Sequence, residues 1–95
     1  MQLLAVRYDL QLHDPHSLKE KRAILRPLLD RLRATEASVS EVAHHDLWQR
    51  AAIGIALVGP DAAHVTDLAD GIDRLIWSRP DIDVLDADRR WLEWE

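Results

Sequence analysis

The chain has 95 residues, of which 47% are hydrophobic and 31% are charged, so it suits one compact domain and not a disordered polymer. It contains no cysteine, which excludes disulfides, thiolate catalysis and cysteine-ligated zinc. The net charge of −5 excludes nucleic-acid binding by a uniformly basic surface, but residues 1–50 hold eight Lys/Arg against seven Asp/Glu, whereas residues 51–95 hold four against ten. Since the N-terminal stretch lacks a basic leader and a long apolar run, we expect a cytoplasmic protein with no membrane partner.

The first third of the chain predicts a strand followed by a helix. Apolar and polar side chains alternate over residues 2–12, as they do in a half-buried strand. Ser17 and Glu20 then form a capping box, which predicts a helix that runs to about Ala34 with leucines at helical spacing on its buried side. Pro27 falls inside this helix on the side opposite the leucines, so we expect a bend there.

The remaining two thirds predict three strands and a second helix. Residues 37–44 and 51–59 are the next two strands, with a turn rich in polar side chains between them. Asp61 is the N-cap of a helix that extends to about Ser78, and a fourth strand begins at 82–85. The tail after this strand either extends it or leaves its tryptophans on the surface.

The element order βαββαβ predicts an α+β, ferredoxin-like two-layer sandwich that spans residues 1–95 as a single domain. Its antiparallel four-stranded sheet carries both helices on one face. This topology brings the loop 13–17, the start of the first helix and the turn 44–50 to one end of the molecule. Four of the five histidines lie there, namely His13, His16, His44 and His45.

This histidine-rich end offers a hypothetical anion site. The free N–H groups of a helix N-terminus attract phosphate, and Lys21 and Arg50 would add charge-assisted hydrogen bonds. The alternative is a lysine that emerges from the edge of the core beside solvated histidine loops.

Metal binding and catalysis find little support in the sequence. There is no HxH, HxxxH or HExxH spacing, and His44 and His45 would point to opposite faces of an extended chain. Ser17 beside His16 has no orienting acid placed by sequence, and no glycine-rich phosphate loop is present. We therefore predict no cofactor, no metal and no catalytic activity.

The first helix carries a basic stripe of exposed side chains, made of Lys19, Arg22, Arg26 and Arg33. Their spacings of three, four and seven residues place them beside the buried leucines, which predicts a contact with RNA phosphate or with an acidic protein surface. A solvated helix face is the alternative. Base stacking on the sheet, as in an RRM, is not expected because the strands hold too few aromatic residues.

Two segments, His16–Arg33 (HSLKEKRAILRPLLDRLR) and Ser38–Val58 (SVSEVAHHDLWQRAAIGIALV), resemble the YlxP-like family of small bacterial proteins, a domain of unknown function. The resemblance implies a ferredoxin-like fold in the bacterial cytoplasm. It also implies a link to translation or RNA, because family members are often encoded near translation initiation factor two and ribosome-binding factor A. Pro27, Ala43 and His45 depart from the family's pattern. The matching positions are Ser17, Leu18, Lys19, Glu20, Lys21, Arg22, Glu41, Val42, Asp46, Leu47, Trp48, Gln49, Arg50 and Gly54.

The leading hypothesis is a non-catalytic binding module that contacts ribosomal RNA or a translation-associated protein. Two alternatives stand beside it: a homo-oligomeric scaffold that associates through the exposed sheet face or an edge strand, and a small-anion or nucleotide sensor at the histidine-rich end. If Glu41 faces inward, we expect it to pair with Arg50 or with the Trp48 N–H. The predicted RNA- or anion-binding residues are Ser17, Lys19, Lys21, Arg22, Arg26, Arg33 and Arg50. The signature loop adds Glu41, His44, Asp46, Trp48 and Gln49.

Overall fold

A computed structural model describes residues 1–94 of the chain and has the element order βαββαβ. The elements are β1 (Gln2–Leu12), α1 (Leu18–Arg33), β2 (Ser38–Ala43), β3 (Arg50–Gly59), α2 (Ala62–Trp77) and β4 (Ile82–Leu92). The predicted strands and helices are therefore confirmed. The tail left ambiguous by the sequence continues β4 to Leu92, and it also leaves Trp91 and Trp94 exposed.

The four strands form one antiparallel sheet in the order β2-β3-β1-β4, with both helices on one face. Alternate side chains of the two central strands point at the helices because successive residues of a strand face opposite sides. These inward side chains and the apolar faces of α1 and α2 form one core, as expected for a ferredoxin-like α+β sandwich. From β1 and β3 the core takes Leu4, Val6, Tyr8, Leu10, Leu12, Ile53, Ile55 and Leu57.

Helix α1 begins with the predicted capping box. The Ser17 hydroxyl accepts a hydrogen bond from the Glu20 backbone N–H at 3.1 Å, and the Glu20 carboxylate accepts one from the His16 N–H at 2.6 Å. The return bond thus reaches one residue further back than the motif requires. Pro27 lies on the exposed side of the helix, opposite the buried leucines. The helical hydrogen bond that proline cannot donate is therefore missing on the solvent-facing side and not in the core.

Each edge strand carries a β-bulge. In β4 the extra residue is Leu85, and in β2 it is Val42, between Glu41 and Ala43. The Val42 side chain lies over Gly54 of β3, where an added Cβ would approach its Cγ1 to 2.8 Å. The space above this glycine is thus occupied by the chain's own bulge.

Helices of the membrane-spanning kind, long and apolar throughout, do not occur in the part of the chain that the structure describes.

Candidate functional site

Lys21 is the buried cation of this fold. It lies on the leucine side of α1 and is 2% exposed. Its Nζ donates to the backbone oxygen of His44 at 2.7 Å and lies 3.5 Å from that of His45. The Oε2 atom of Glu41 is 3.3 Å away but has no hydrogen bond of good geometry, so this contact is an ion pair. Lys21 therefore fastens α1 to the loop after β2, and an anion could reach its ammonium group only by displacing these partners.

The partner expected for Glu41 was wrong. Glu41 stands opposite Ile53 on the helix-covered side of the sheet, which directs its side chain towards Lys21, and its other carboxylate oxygen lies 3.9 Å from the His45 ring. Trp48 is 48% exposed, and the Nε of Arg50 is buried without a hydrogen bond to any described residue. The inward carboxylate is balanced by the nearest buried ammonium group, as the cost of burying an unpaired charge requires.

The signature loop, defined here as residues 44–49, is fixed at both ends and exposed at its tip. His44 adopts a φ of 63°, and its carbonyl also accepts from the Leu47 N–H at 3.1 Å. At the other end, the Gln49 carbonyl accepts from the Leu12 N–H at 2.8 Å. Between them Asp46 and Trp48 project from the surface, beside a shallow hollow of about 320 Å³. The loop is held by main-chain bonds, so the exposed side chains of Asp46 and Trp48 at its tip are accessible to a partner.

The histidines do not converge. His44 approaches Asp9 at 3.7 Å, whereas the His45 ring nitrogen lies 3.0 Å from the Glu41 carbonyl, so the two neighbours turn to opposite sides as predicted. His13 contacts Asp83 at 2.8 Å, and this hydrogen bond raises the pKa of His13. Within residues 1–94, no three His, Cys, Asp or Glu side chains are grouped as metal ligands would be.

The basic stripe lies along the outer surface of α1. Lys19, Arg22, Arg26 and Arg33 are exposed, and none forms an ion pair with a described residue. Arg22 and Arg26 line two hollows at once: one of about 570 Å³ on the outer side, beside Pro27, and one of about 290 Å³ between α1 and the edge strand β2. The stripe is thus a line of unpaired cationic groups above a partly apolar floor, and Asp30 also lines both hollows.

The structure divides the predicted site residues into separate groups. Lys21, Glu41 and the main chain of His44 form the internal anchor, and Ser17 serves as a helix cap. The stripe and the loop tip are surface features apart from that anchor. Their contact with a ligand stays a prediction.

Sequence reasoning assigned no role to Arg7 and Asp9. Two guanidinium nitrogens of Arg7 lie 3.2 Å from the Asp9 carboxylate, on the sheet face that carries no described helix. The hydrogen bonds from Arg7 lower the pKa of Asp9. Opposite charges two residues apart on a predicted strand share one face, and that spacing is the signal that would have found the pair.

A βαββαβ chain with one helix-covered and one uncovered sheet face defines a ferredoxin-like α+β protein, here with a stripe of unpaired cations and an anchored loop. The family model described as "Protein of unknown function (DUF503)" matches residues 3–89, and the chain belongs to this family. It is 36% identical over 73 residues to the "Uncharacterized protein YlxP" of Bacillus subtilis (strain 168), a match that covers 76% of this chain and 79% of that protein. The resemblance inferred from the sequence is thereby confirmed.

Proposed function

We propose that this protein is a non-catalytic, cytoplasmic RNA-binding module whose basic stripe contacts backbone phosphates of ribosomal RNA. The observation that carries the proposal is the set of exposed, unpaired guanidinium groups of Arg22, Arg26 and Arg33 on one helix surface. Because these groups have no internal ion pair to give up, a phosphate contact adds charge-assisted hydrogen bonds without breaking existing ones.

The geometry of the stripe favours an extended polyanion over a small ligand. Arg22 and Arg33 are eleven residues apart, which at 1.5 Å per residue is about 16 Å along the helix. A single phosphate cannot span that distance, whereas several phosphates of one RNA strand can. At the N-terminus of α1, in contrast, the Glu20 N–H already donates to the Ser17 hydroxyl, and the Glu20 carboxylate, which accepts from the His16 N–H, adds a negative charge there. The proposal therefore places the RNA contact along the helix and not at the histidine-rich end.

The distribution of charge would orient the RNA. Helix α1 holds six basic side chains against two acidic ones, while α2 holds three aspartates against Arg74. A polyanion is attracted to the first helix and repelled by the second, so the fold presents one side to RNA despite its net negative charge.

Sedimentation tests the proposal in a bacterial lysate. The tagged protein is centrifuged through a gradient at low and at moderate salt, beside a variant with Lys19, Arg22 and Arg26 all changed to Ala. We expect co-migration with ribosomal subunits at low salt, and loss of co-migration in the variant. Slow sedimentation of the native protein in both buffers, or co-migration through a protein partner that survives digestion of the RNA, would contradict an RNA contact.

A binding titration with a defined RNA fragment measures the contribution of each cation. Four phosphate contacts predict that log K falls with log salt with a slope of about −3 to −4, and Arg26→Ala should weaken this slope by about 1. Arg74→Ala is the matched control, because Arg74 is an exposed helical arginine with no ion pair to a described residue. Equal losses in both variants would show attraction to overall charge and would refute a stripe-specific contact.

A further inference from the structure

The uncovered face of the sheet is divided into two halves of different character. The half formed by β2 and β3 carries mostly small, uncharged side chains, with Val42 over Gly54 and Arg50 at its end, whereas the half formed by β1 and β4 carries mostly long, charged ones. The strand register sets these side chains in rows across the sheet. One row reads Ser40, Gly54, Arg7 and Asp88, and the next reads Ser38, Ala56, Ala5 and Arg90. Both rows line a groove of about 470 Å³.

An apolar row closes one end of this face. Val58, Leu3 and Leu92 are partners across β3, β1 and β4, and Val58 and Leu92 are 52% and 54% exposed. Adjacent exposed aliphatic side chains on a sheet face gain free energy when a partner covers them.

We propose that this face binds a second copy of the chain, related by a two-fold axis that runs parallel to the strands between the two sheets. This rotation places β1 and β4 of one copy over β3 and β2 of the other, and it keeps the rows of the two sheets aligned. It places Arg90 of each copy above Ser38 of the other, and Arg7 of each copy above the Val42 side chain that covers Gly54 of the other. The long Arg90 side chain thus meets a small serine, the aliphatic stem of Arg7 meets the exposed Val42 side chain, and the self-complementary contact closes as a dimer.

The charges fit the same arrangement. Arg7 is paired with Asp9 at 3.2 Å and Arg90 with Asp88 at 2.9 Å. The charge of each arginine is therefore balanced within its own copy before two copies associate. Since the β2 and β3 positions of these rows are uncharged (Ser38, Ser40, Gly54 and Ala56), no like charges are brought face to face there. RNA is a poor occupant of this face, because its four carboxylates outnumber its three arginines: Asp9, Asp83, Asp86 and Asp88 against Arg7, Arg50 and Arg90.

The area of the face sets the strength of the contact. Four strands about 4.8 Å apart, overlapping for about 25 Å, offer roughly 500 Å² per copy, or about 1,000 Å² for the pair. That is near the lower limit for a specific interface, so we expect a dimer that dissociates on dilution into the micromolar range. The inference goes beyond the proposed function and is independent of it, because both basic stripes remain on the outside of such a dimer.

Analytical ultracentrifugation from low to high micromolar concentration tests the inference. We expect the mass to rise from the 10.9 kDa monomer towards twice that value. Ser38→Arg sets a guanidinium group opposite Arg90 of the second copy and should weaken dimerisation at least about tenfold, since like charges across an interface are unfavourable. Ala63→Arg is the matched control, because Ala63 is equally exposed but lies on α2, on the opposite side of the sheet.

A charge exchange makes the geometry itself testable. Within one copy, the Ser38 and Arg90 positions are separated by the two central strands, about 14 Å. Adding Arg90→Glu to Ser38→Arg should therefore restore the dimer only through contacts between copies. A mass that stays at one chain at high micromolar concentration would overturn the inference, as would a dimer that is indifferent to Ser38→Arg. Circular dichroism checks that each variant is folded.

Discussion

Lys21→Met is expected to lower the free energy of unfolding by about 3 kcal/mol. Lys21 is 2% exposed, and its ammonium group contacts the His44 carbonyl at 2.7 Å and Glu41 at 3.3 Å. Methionine retains most of the apolar stem, so the loss comes from the carboxylate that is left without its cation. Removing one partner of a buried pair costs about 3–5 kcal/mol, and the lower value applies because the Glu41 side chain remains 21% exposed.

Urea unfolding followed by tryptophan fluorescence measures this loss, since the chain has four tryptophans. The midpoint should fall at an unchanged slope, and the melting temperature should fall by about 12 °C or more. Lys19→Met is the control, because Lys19 is an exposed lysine on the same helix and should change stability by no more than about 0.5 kcal/mol. In the double variant with Glu41→Gln, about 1–2 kcal/mol of the loss should be recovered. The anchoring role of this ion pair would be refuted if Lys21→Met lowered the free energy of unfolding no more than Lys19→Met. It would also be refuted if the losses caused by Lys21→Met and Glu41→Gln simply added in the double variant.

Three further changes test other parts of the fold. Gly54→Ala should cost about 1–3 kcal/mol because its Cβ would meet Val42 Cγ1 at 2.8 Å, and Val42→Ala in the same chain should recover part of that loss in urea unfolding; no recovery would argue against the clash. The hydrogen bond to Asp83 raises the pKa of His13, so its contribution to stability is complete below the unfolded pKa and is lost as pH rises through the folded pKa. Asp83→Asn should return the His13 titration, followed by NMR, towards its ordinary range, and an unmoved titration would exclude this partner. Tyr8→Phe removes a 2.9 Å hydrogen bond to an α2 carboxylate and should cost about 1.5 kcal/mol, whereas a neutral result would mean that the hydroxyl contributes nothing.

The strands and helices that could be predicted are those in which the spacing of apolar residues in the sequence matches the side chains that are buried. In β1, alternate residues face the core, so the period of two is visible in the sequence. In β4, the bulge at Leu85 shifts the alternation, and every described residue beyond it is exposed. No apolar period can mark a strand that the helices scarcely cover, which is why its extent could not be predicted.

The candidate site was predictable as a set of residues but not as a set of contacts. The position of Lys21 among the leucines indicated that it was unusual. Besides Glu41, however, it contacts the main-chain carbonyls of His44 and His45, which no side-chain pattern reveals. The bulge at Val42 likewise depends on where strand pairing breaks, and this is decided by the tertiary fold.

The sheet order has a consequence for synthesis of the chain. Strand β1 lies between β3 and β4, and it bonds to β4 across nearly the whole sequence, as in the pair Leu3 and Leu92. As the polypeptide leaves the ribosome, β1 can therefore gain only one of its two neighbours until β4 has emerged. Until then one side of β1 is an unpaired edge, the kind of surface that leads to aggregation. A chain truncated before Ile82 should accumulate in this state, so the step that completes the fold comes late and depends on contacts between its most distant segments.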